Sequence, residues 1–211
     1  VGTAYGYQID LSTSFTGEDA LSVSIDAGSG ASSLGELDLN SSGDTLMVDG
    51  ITYTFPLGEK TTILIGDSTD GSALYSTACV YGGFTNTLDD CGALNSPFGT
   101  TSQGSVGFSA SYDIGNGFTG AIGYAGPGTA TSGLMTKEGT DYFGGQIAYA
   151  ADSYGASVTY ANLESTDDTT VWGLNGYYTP EGSLPSISVG YEMGDPTTAK
   201  DTTQWFVGLQ W

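Results

Sequence analysis

Residues 105–126, SVGFSASYDIGNGFTGAIGYAG, show the pattern that recurs through most of the sequence. Apolar side chains alternate with small or polar ones from Val106 to Ile114, and again from Phe118 to Tyr124. Successive side chains of a strand point to opposite faces, so each limb is predicted to be a strand with one apolar and one polar face. Residues 115–117, GNG, supply the permissive backbone of a hairpin turn. Limbs of about ten residues suit a bilayer-crossing strand as well as a soluble β-sandwich.

The composition favours an all-β protein. The chain of 211 residues contains 34 Gly, 12% aromatic residues and 14 Tyr, which is typical of many strands joined by turns. No apolar run approaches the length of a transmembrane helix, so a helical membrane protein is excluded. A membrane-spanning β-barrel remains an alternative, because the apolar and polar residues that alternate along its strands cancel in an averaged hydropathy profile.

The charge is strongly negative. There are 24 Asp and Glu against three Lys, without Arg or His, which gives a net charge of −21. Such a surface repels phosphate backbones, so nucleic acid is excluded as a partner and inorganic cations are favoured. The lack of His removes the commonest general base and zinc ligand. No enzymatic activity, no cofactor and no specific metal site are predicted.

About eleven amphipathic strands follow one another along the chain, and an irregularity near Asp49 and Gly50 indicates a bulge. The predicted connections 16–19, 56–60, 115–117, 151–154 and 179–185 are short. Those at 28–45, 66–104, 126–140, 162–169 and 192–202 are longer. Alternation of short and long connections predicts an antiparallel up-and-down β-barrel that spans a membrane, with all short turns at one end. The connections of a Greek-key sandwich are not expected to alternate between short and long in this way.

The acidic residues of the strands fall on the polar face. Asp10, Asp26 and Asp113 are the examples, and none of them interrupts an apolar face. A soluble barrel has the opposite arrangement, with an apolar interior and a charged exterior. We therefore interpret these three carboxylates as candidates for lining a water-filled pore that attracts cations. The alternative is that they are ordinary solvated residues.

The two cysteines, Cys79 and Cys91, lie in one irregular segment rich in Gly, Asn and Asp. An even pair in such a segment predicts a disulfide formed in an oxidising compartment, with two free thiols as the alternative. Closing this short loop would stabilise the fold by roughly 3 kcal/mol in the chain-entropy model.

Three stretches carry a family resemblance: STSFTGEDAL at 12–21, the segment 53–92 around the cysteines, and YYTPEGSLPSISVGYEMGD at 177–195. They resemble the major outer-membrane porins of cyanobacteria, within the carbohydrate-selective porin family. The resemblance implies a barrel of sixteen strands, preceded by a signal peptide, an S-layer-homology domain that binds the cell wall and a coiled coil. Residues 1–211 are then expected to be one porin domain, incomplete at about eleven strands and without the wall-binding domain.

Residues 66–104 are the longest irregular region. We expect this loop either to fold inward and narrow the pore or to cap the barrel from outside. In the first case its acidic residues would lie near the narrowest point; these are Asp67, Asp70, Asp89 and Asp90.

The apolar face of many strands carries an aromatic residue at its end, which is typical of the interfacial girdles of membrane proteins. The residues concerned are Tyr5, Phe15, Phe118, Tyr124, Tyr149, Tyr160, Trp172, Tyr178, Tyr191, Trp205 and Trp211. Sugar-stacking aromatics would have to lie on the polar face, where Tyr142 and Tyr177 are among the few candidates. This weakens the case for sugars as substrates.

The leading hypothesis is a porin of the outer membrane that passes small hydrophilic solutes and ions by passive diffusion and prefers cations. Its expected partners are outer-membrane lipid or lipopolysaccharide, small solutes, inorganic cations and, as one option, two further copies in a homotrimer. Divalent cations are expected to bind loosely among Glu164, Asp167 and Asp168, where they could bridge to anionic lipid. The alternative is a secreted acidic β-rich surface or adhesion protein. A carboxylate hydrolase lacks any distinctive spacing of acids.

Overall fold

A computed structural model describes residues 5–29, 42–69, 71–76, 106–129, 131, 133–137, 139–164 and 167–211. These residues form one antiparallel sheet of eleven strands, in which each strand pairs with its neighbours in the sequence. The strands are β1 (Gly6–Thr13), β2 (Ala20–Gly28), β3 (Gly43–Leu57), β4 (Thr61–Asp67), β5 (Val106–Gly115), β6 (Phe118–Gly126), β7 (Tyr142–Ala150), β8 (Tyr154–Leu163), β9 (Thr169–Tyr178), β10 (Ser186–Pro196) and β11 (Thr202–Gln210). The predicted all-β meander is confirmed.

The connections alternate between the two ends of the sheet. We call the end with connections 14–19, 58–60, 116–117, 151–153 and 179–185 the turn end, and the opposite end the loop end. The prediction that every loop-end connection is the longer kind is wrong. Connections 164–168 and 197–201 have five residues each, fewer than the seven of 179–185, because the hydrogen-bonded ladders of β8 to β11 continue into residues predicted to be loop.

Two local features follow directly from the sequence. The turn between β5 and β6 has positive φ angles at Gly115, Asn116 and Gly117, the backbone conformation that glycine and asparagine adopt most readily. In β3 the register shifts at Asp49, since Ser24 pairs with Gly50 and Ile25 pairs with Val48. Both the hairpin turn and the bulge are confirmed.

The two faces of the sheet differ sharply in chemistry and in burial. Ile147, Val158 and Leu174 are direct partners across β7, β8 and β9, and they are 54%, 46% and 46% exposed. Their neighbours on the other face, Gln146 and Thr159, are 4% and 2% exposed. From β5 to β10 the apolar face is therefore the exposed one and most of the polar face is buried, whereas both faces of β1 are exposed.

One predicted apolar-face residue is covered. Tyr124 of β6 is buried beneath residues 134 and 135 of the connection between β6 and β7, so its ring is not on the open apolar face. Among the described residues, no helix is long and apolar enough to cross a membrane.

Candidate functional site

A row of polar side chains crosses the buried face at mid-height, in direct register from β7 to β11. Within this row the Nε2 of Gln146 donates to Oγ1 of Thr159 at 2.9 Å, and the Nε2 of Gln204 donates to a carboxylate oxygen of Glu192. The row thus contains two hydrogen-bonded pairs, an amide with a hydroxyl and an amide with a carboxylate, with a glycine between them. Its members are Gln146, Thr159, Gly173, Glu192 and Gln204.

After β4 the chain crosses this polar face. The segment 71–76 passes over β5, β6 and β7: the backbone N–H of Leu74 donates to Oγ of Ser109 at 3.3 Å. Its Tyr75 packs against the cluster of Ala161, Leu163 and Val171 on β8 and β9. The beginning of the long irregular region therefore lies against the inside of the sheet.

Glycines of β6 and β7 make room for this segment. A Cβ at Gly123 would overlap the backbone carbonyl of Gly71, and a Cβ at Gly144 would lie 3.1 Å from the hydroxyl of Tyr75. On β5, a Cβ at Gly107 would lie 2.5 Å from the methyl group of Thr69. Three neighbouring strands thus carry glycine where the chain approaches most closely.

Gln146 of β7 fixes the end of the segment. Its Oε1 accepts from the backbone N–H of Ser76 at 2.6 Å, and its Nε2 donates to the backbone carbonyl of Ser76 at 2.9 Å. Both hydrogen bonds are partly buried. A buried donor or acceptor that is left without a partner is costly. One buried amide therefore satisfies both backbone groups of Ser76 and attaches the segment to the wall.

The three strand carboxylates predicted from the sequence all lie on the polar face. Asp10 accepts hydrogen bonds from Gln8 and Ser24, both at 2.7 Å, and Asp26 is buried on β2. Asp113 accepts from the backbone N–H of Gly115 at 2.8 Å, so it also stabilises the hairpin turn. The structure places them on one face, and whether they select ions stays a prediction.

The loop carboxylates are a different case. Asp67 is the last residue of β4 and shares the exposed apolar face with Ile63 and Ile65, so it does not lie against the segment that crosses the polar face. The other loop candidates lie outside the described residues, as do both cysteines of the predicted disulfide: Asp70, Asp89, Asp90, Cys79 and Cys91.

Glu192 is a polar-face carboxylate that the sequence prediction assigned to a loop. In the structure it lies within β10, between Tyr191 and Met193, and it is 2% exposed. Gly194, Asp195 and Pro196 resemble a turn in sequence, yet they pair with β9 as strand residues. The available signal was the alternation from Ile187 to Met193, which puts position 192 on the polar face.

The aromatic ends form two groups on the apolar face. At the turn end, the rings of Phe118 and Tyr149 lie 4.8 Å apart and those of Tyr149 and Tyr154 lie 5.7 Å apart. Near the loop end, Tyr160 and Trp172 are in edge contact at 5.0 Å. The aromatic side chains therefore mark both edges of the exposed apolar band.

Both polar-face tyrosines make structural contacts within the sheet. The hydroxyl of Tyr177 donates to the backbone carbonyl of Ala151 at 2.6 Å and secures a turn, while Tyr142 packs against the Ala161 cluster.

A carboxylate outside the strands, Asp19, organises the first turn. It accepts from the hydroxyl of Thr16 at 2.6 Å, from Ser14 at 2.7 Å and from Tyr53 at 2.8 Å. These donors, with the Thr16 hydroxyl first, hold the pKa of Asp19 well below its usual range despite the opposing effect of desolvation. Asp19 is a structural carboxylate of the turn end that the sequence prediction missed.

The described residues contain no cluster of three or more His, Cys, Asp or Glu side chains able to hold a metal ion. Of the predicted loose cation ligands, Asp167 accepts from the backbone N–H of Thr198 at 2.7 Å. The backbone carbonyl of Asp168 accepts from the backbone N–H of Thr197 at 2.8 Å. Loose binding of divalent cations with Glu164 stays a prediction.

No family model matches the sequence, and no curated protein matches it significantly. Among solved structures, three mutants of the porin of Rhodobacter blastica are similar to this chain, and each match covers 97% of this chain and 78% of the porin chain. The identities are 14%, 13% and 13%, with TM-scores of 0.41, 0.40 and 0.38. The assignment to the cyanobacterial family stays a prediction.

Proposed function

We propose that this chain forms the wall of an outer-membrane porin through which small hydrophilic solutes and ions diffuse passively. The observation that carries the proposal is the inversion of the sheet from β5 to β10, where the apolar face is exposed and most of the polar face is buried. The exposed apolar row continues in register from Ile147, Val158 and Leu174 to Tyr191 and Trp205. A patch of this extent requires an apolar environment, and a bilayer supplies one along the whole face.

The dimensions support a membrane location. The ten residues of β8 span roughly 34 Å along the strand. At the tilt of about 45° that is usual in membrane barrels, this corresponds to about 24 Å across the bilayer, close to their apolar band of about 25 Å. The aromatic groups at the two edges of the band lie where interfacial girdles are expected.

A pore also needs a closed sheet, because unpaired edge groups are costly in lipid. In the described part of the chain, β1 pairs only with β2 and β11 pairs only with β10. We propose that further strands of a larger barrel pair with these two edges, as the resemblance to sixteen-stranded cyanobacterial porins implies. The homotrimer remains part of this proposal.

Segment 71–76 would narrow such a pore. It crosses the polar face of three strands and is attached through Ser76 and Gln146. This favours the inward arrangement of the loop 66–104 over an external cap.

Cation preference follows from the distribution of charge. The three lysines, Lys60, Lys137 and Lys200, all lie in connections, so the described strands contain carboxylates and no basic side chain. Fixed negative charge in a confined aqueous path raises the local concentration of cations.

The test is reconstitution of the purified protein into planar bilayers under a potassium chloride gradient. We expect stable ohmic channels with a reversal potential of the sign that indicates cation preference. A reversal potential of the sign that indicates anion preference would refute the cation preference but not the porin function. A protein that neither inserts nor conducts would refute the porin function.

The competing hypothesis is a secreted acidic surface or adhesion protein. The in-register exposed apolar row argues against it, since a protein surrounded by water would leave that row uncovered. Phase partitioning distinguishes the two: the porin enters the detergent phase, and a surface protein stays in the aqueous phase. No enzymatic activity is proposed.

A further inference from the structure

The connection between β6 and β7 folds back over the apolar face. The hydroxyl of Tyr124 donates to the carboxylate of Asp141 at 2.8 Å and accepts from the backbone N–H of Met135 at 3.0 Å. Met135 has a positive φ of 56°, an uncommon conformation for this residue, and its side chain is exposed. A buried tyrosine thus holds Leu134 and Met135 against the outside of the sheet.

This tip separates two apolar cavities on the membrane-facing side. One of about 550 Å³ is lined by Phe108, Ile122 and Phe143, and the other, of about 520 Å³, by Ile51, Ile65 and Val106. Both also contact Tyr124 and Met135. Each volume is within the range of small-molecule sites.

A basic side chain lies at the rim of the first cavity, the one lined by Phe108, Ile122 and Phe143. Lys137 is exposed and is one of only three basic residues in a chain of net charge −21. Two carboxylates also line this cavity. That of Asp141 is buried and accepts from Tyr124, whereas the side chain of Glu164 takes no part in that hydrogen bond, so Glu164 is the carboxylate that can be changed without releasing the tip. The second cavity has one carboxylate in its lining, that of Asp67.

We infer that these cavities bind the acyl chains of an anionic phospholipid, one on each side of Met135, with the lipid phosphate at Lys137. The inference rests on the proposed membrane location. It is carried by the combination of two built apolar cavities with a cation at their rim, at the loop end of the strands. An acyl chain matches the apolar lining, and a phosphate matches the ammonium group.

The experiment is native mass spectrometry of the purified protein in detergent with equal amounts of phosphatidylglycerol and phosphatidylcholine. We expect the wild-type protein to retain phosphatidylglycerol in preference. K137Q should lower the ratio of the two bound lipids about fivefold, the effect of one basic residue near a membrane surface. E164Q should raise it, because it removes the opposing charge.

Two matched variants serve as controls. K200Q removes a lysine of the same end that does not line either cavity, and it should keep the wild-type ratio. I122W fills the first cavity and should reduce retention of both lipids. V189W changes another exposed apolar position, outside the cavities, and should not reduce it; Val189 is 46% exposed and Ile122 is 59% exposed.

An equal effect of K137Q and K200Q, or full lipid retention by I122W, would overturn the inference. It would also be overturned if I122W dissociated an oligomer, since the cavity would then be a contact between copies. Bilayer conductance of the same wild-type preparation separates the two proposals. A conducting channel without lipid preference refutes only the lipid site, and a protein that does not conduct refutes the porin.

Discussion

Replacing Gln146 by leucine should release segment 71–76 from the wall and raise the single-channel conductance. Leucine is close in size to glutamine, so the packing of β7 is retained, while both hydrogen bonds to Ser76 and the one to Thr159 are lost. At a net value of about 0.5 to 1.5 kcal/mol per bond, the attachment loses about 1 to 3 kcal/mol. The ratio of detached to attached segment would then rise about 5- to 150-fold.

The assay is single-channel recording in planar bilayers at fixed salt. We expect Q146L to show a higher mean conductance, with excursions to higher levels as the segment leaves the polar face. Q146E keeps an acceptor for the Ser76 N–H but loses the donor to its carbonyl, so its conductance should be intermediate if the segment's attachment controls the pore.

Asn175→Leu is the matched control. Asn175 is also a buried amide on the polar face, but it lies on β9, where it accepts from Ser157 at 2.5 Å. The N175L variant should lose one polar side chain of this face without releasing the segment. Its conductance should therefore stay at or below that of the wild type. Equal conductance in Q146L and N175L, or a decrease in Q146L alone, would refute the attachment of the segment as the cause.

Three further predictions use other parts of the structure. G123A should push segment 71–76 off β6 and make it more sensitive to protease, while G120A, whose Cβ would make an ordinary contact 3.5 Å from Ile147, should leave cleavage unchanged; equal cleavage would contradict the close approach. E192Q should lower the cation-to-anion permeability ratio measured from reversal potentials, and a change no larger than that of E181Q in a turn would show that the charge does not face the ion path. Asp19 stabilises the fold in its charged form above its ordinary pKa of about 4, and this contribution is lost as the pH falls towards the depressed value. D19N should therefore flatten the decline of the thermal midpoint below pH 4, and an unchanged decline would place the acid sensitivity elsewhere.

The strands were predictable because their signal is local. Alternation from Val106 to Tyr124 fixes both the strand type and the face of each side chain, and the glycines at 115 and 117 fix the turn. Strand ends were less predictable, as Glu192 shows. The turn-like residues 194–196 pair with β9 and so belong to the sheet, and that pairing depends on residues about 25 positions away.

The position of segment 71–76 could not be derived from its own sequence. Its attachment depends on Gln146, seventy residues further along the chain from Ser76, and on glycines of β6 and β7 at the points of contact, while a glycine of β5 makes room for the preceding Thr69. A partial signal existed in Gly107, Gly123 and Gly144, which all fall on the polar face. Glycine is costly within strands, and it often marks the close approach of another backbone.

These glycines help to distinguish two roles of segment 71–76, narrowing a pore or filling a core. A core would be filled by large apolar side chains from both sides. Here the apolar contact is a small one, Tyr75 against Ala161, Leu163 and Val171, while the wall offers glycines elsewhere and the link at Ser76 is a pair of amide hydrogen bonds. Hydrogen bonds of this kind can be exchanged for water at little net cost, while buried apolar area cannot. The contact therefore suits a segment held beside an aqueous path. Apart from a few buried residues such as Leu64, Leu163 and Val171, the large apolar side chains of the sheet lie on its opposite, exposed face.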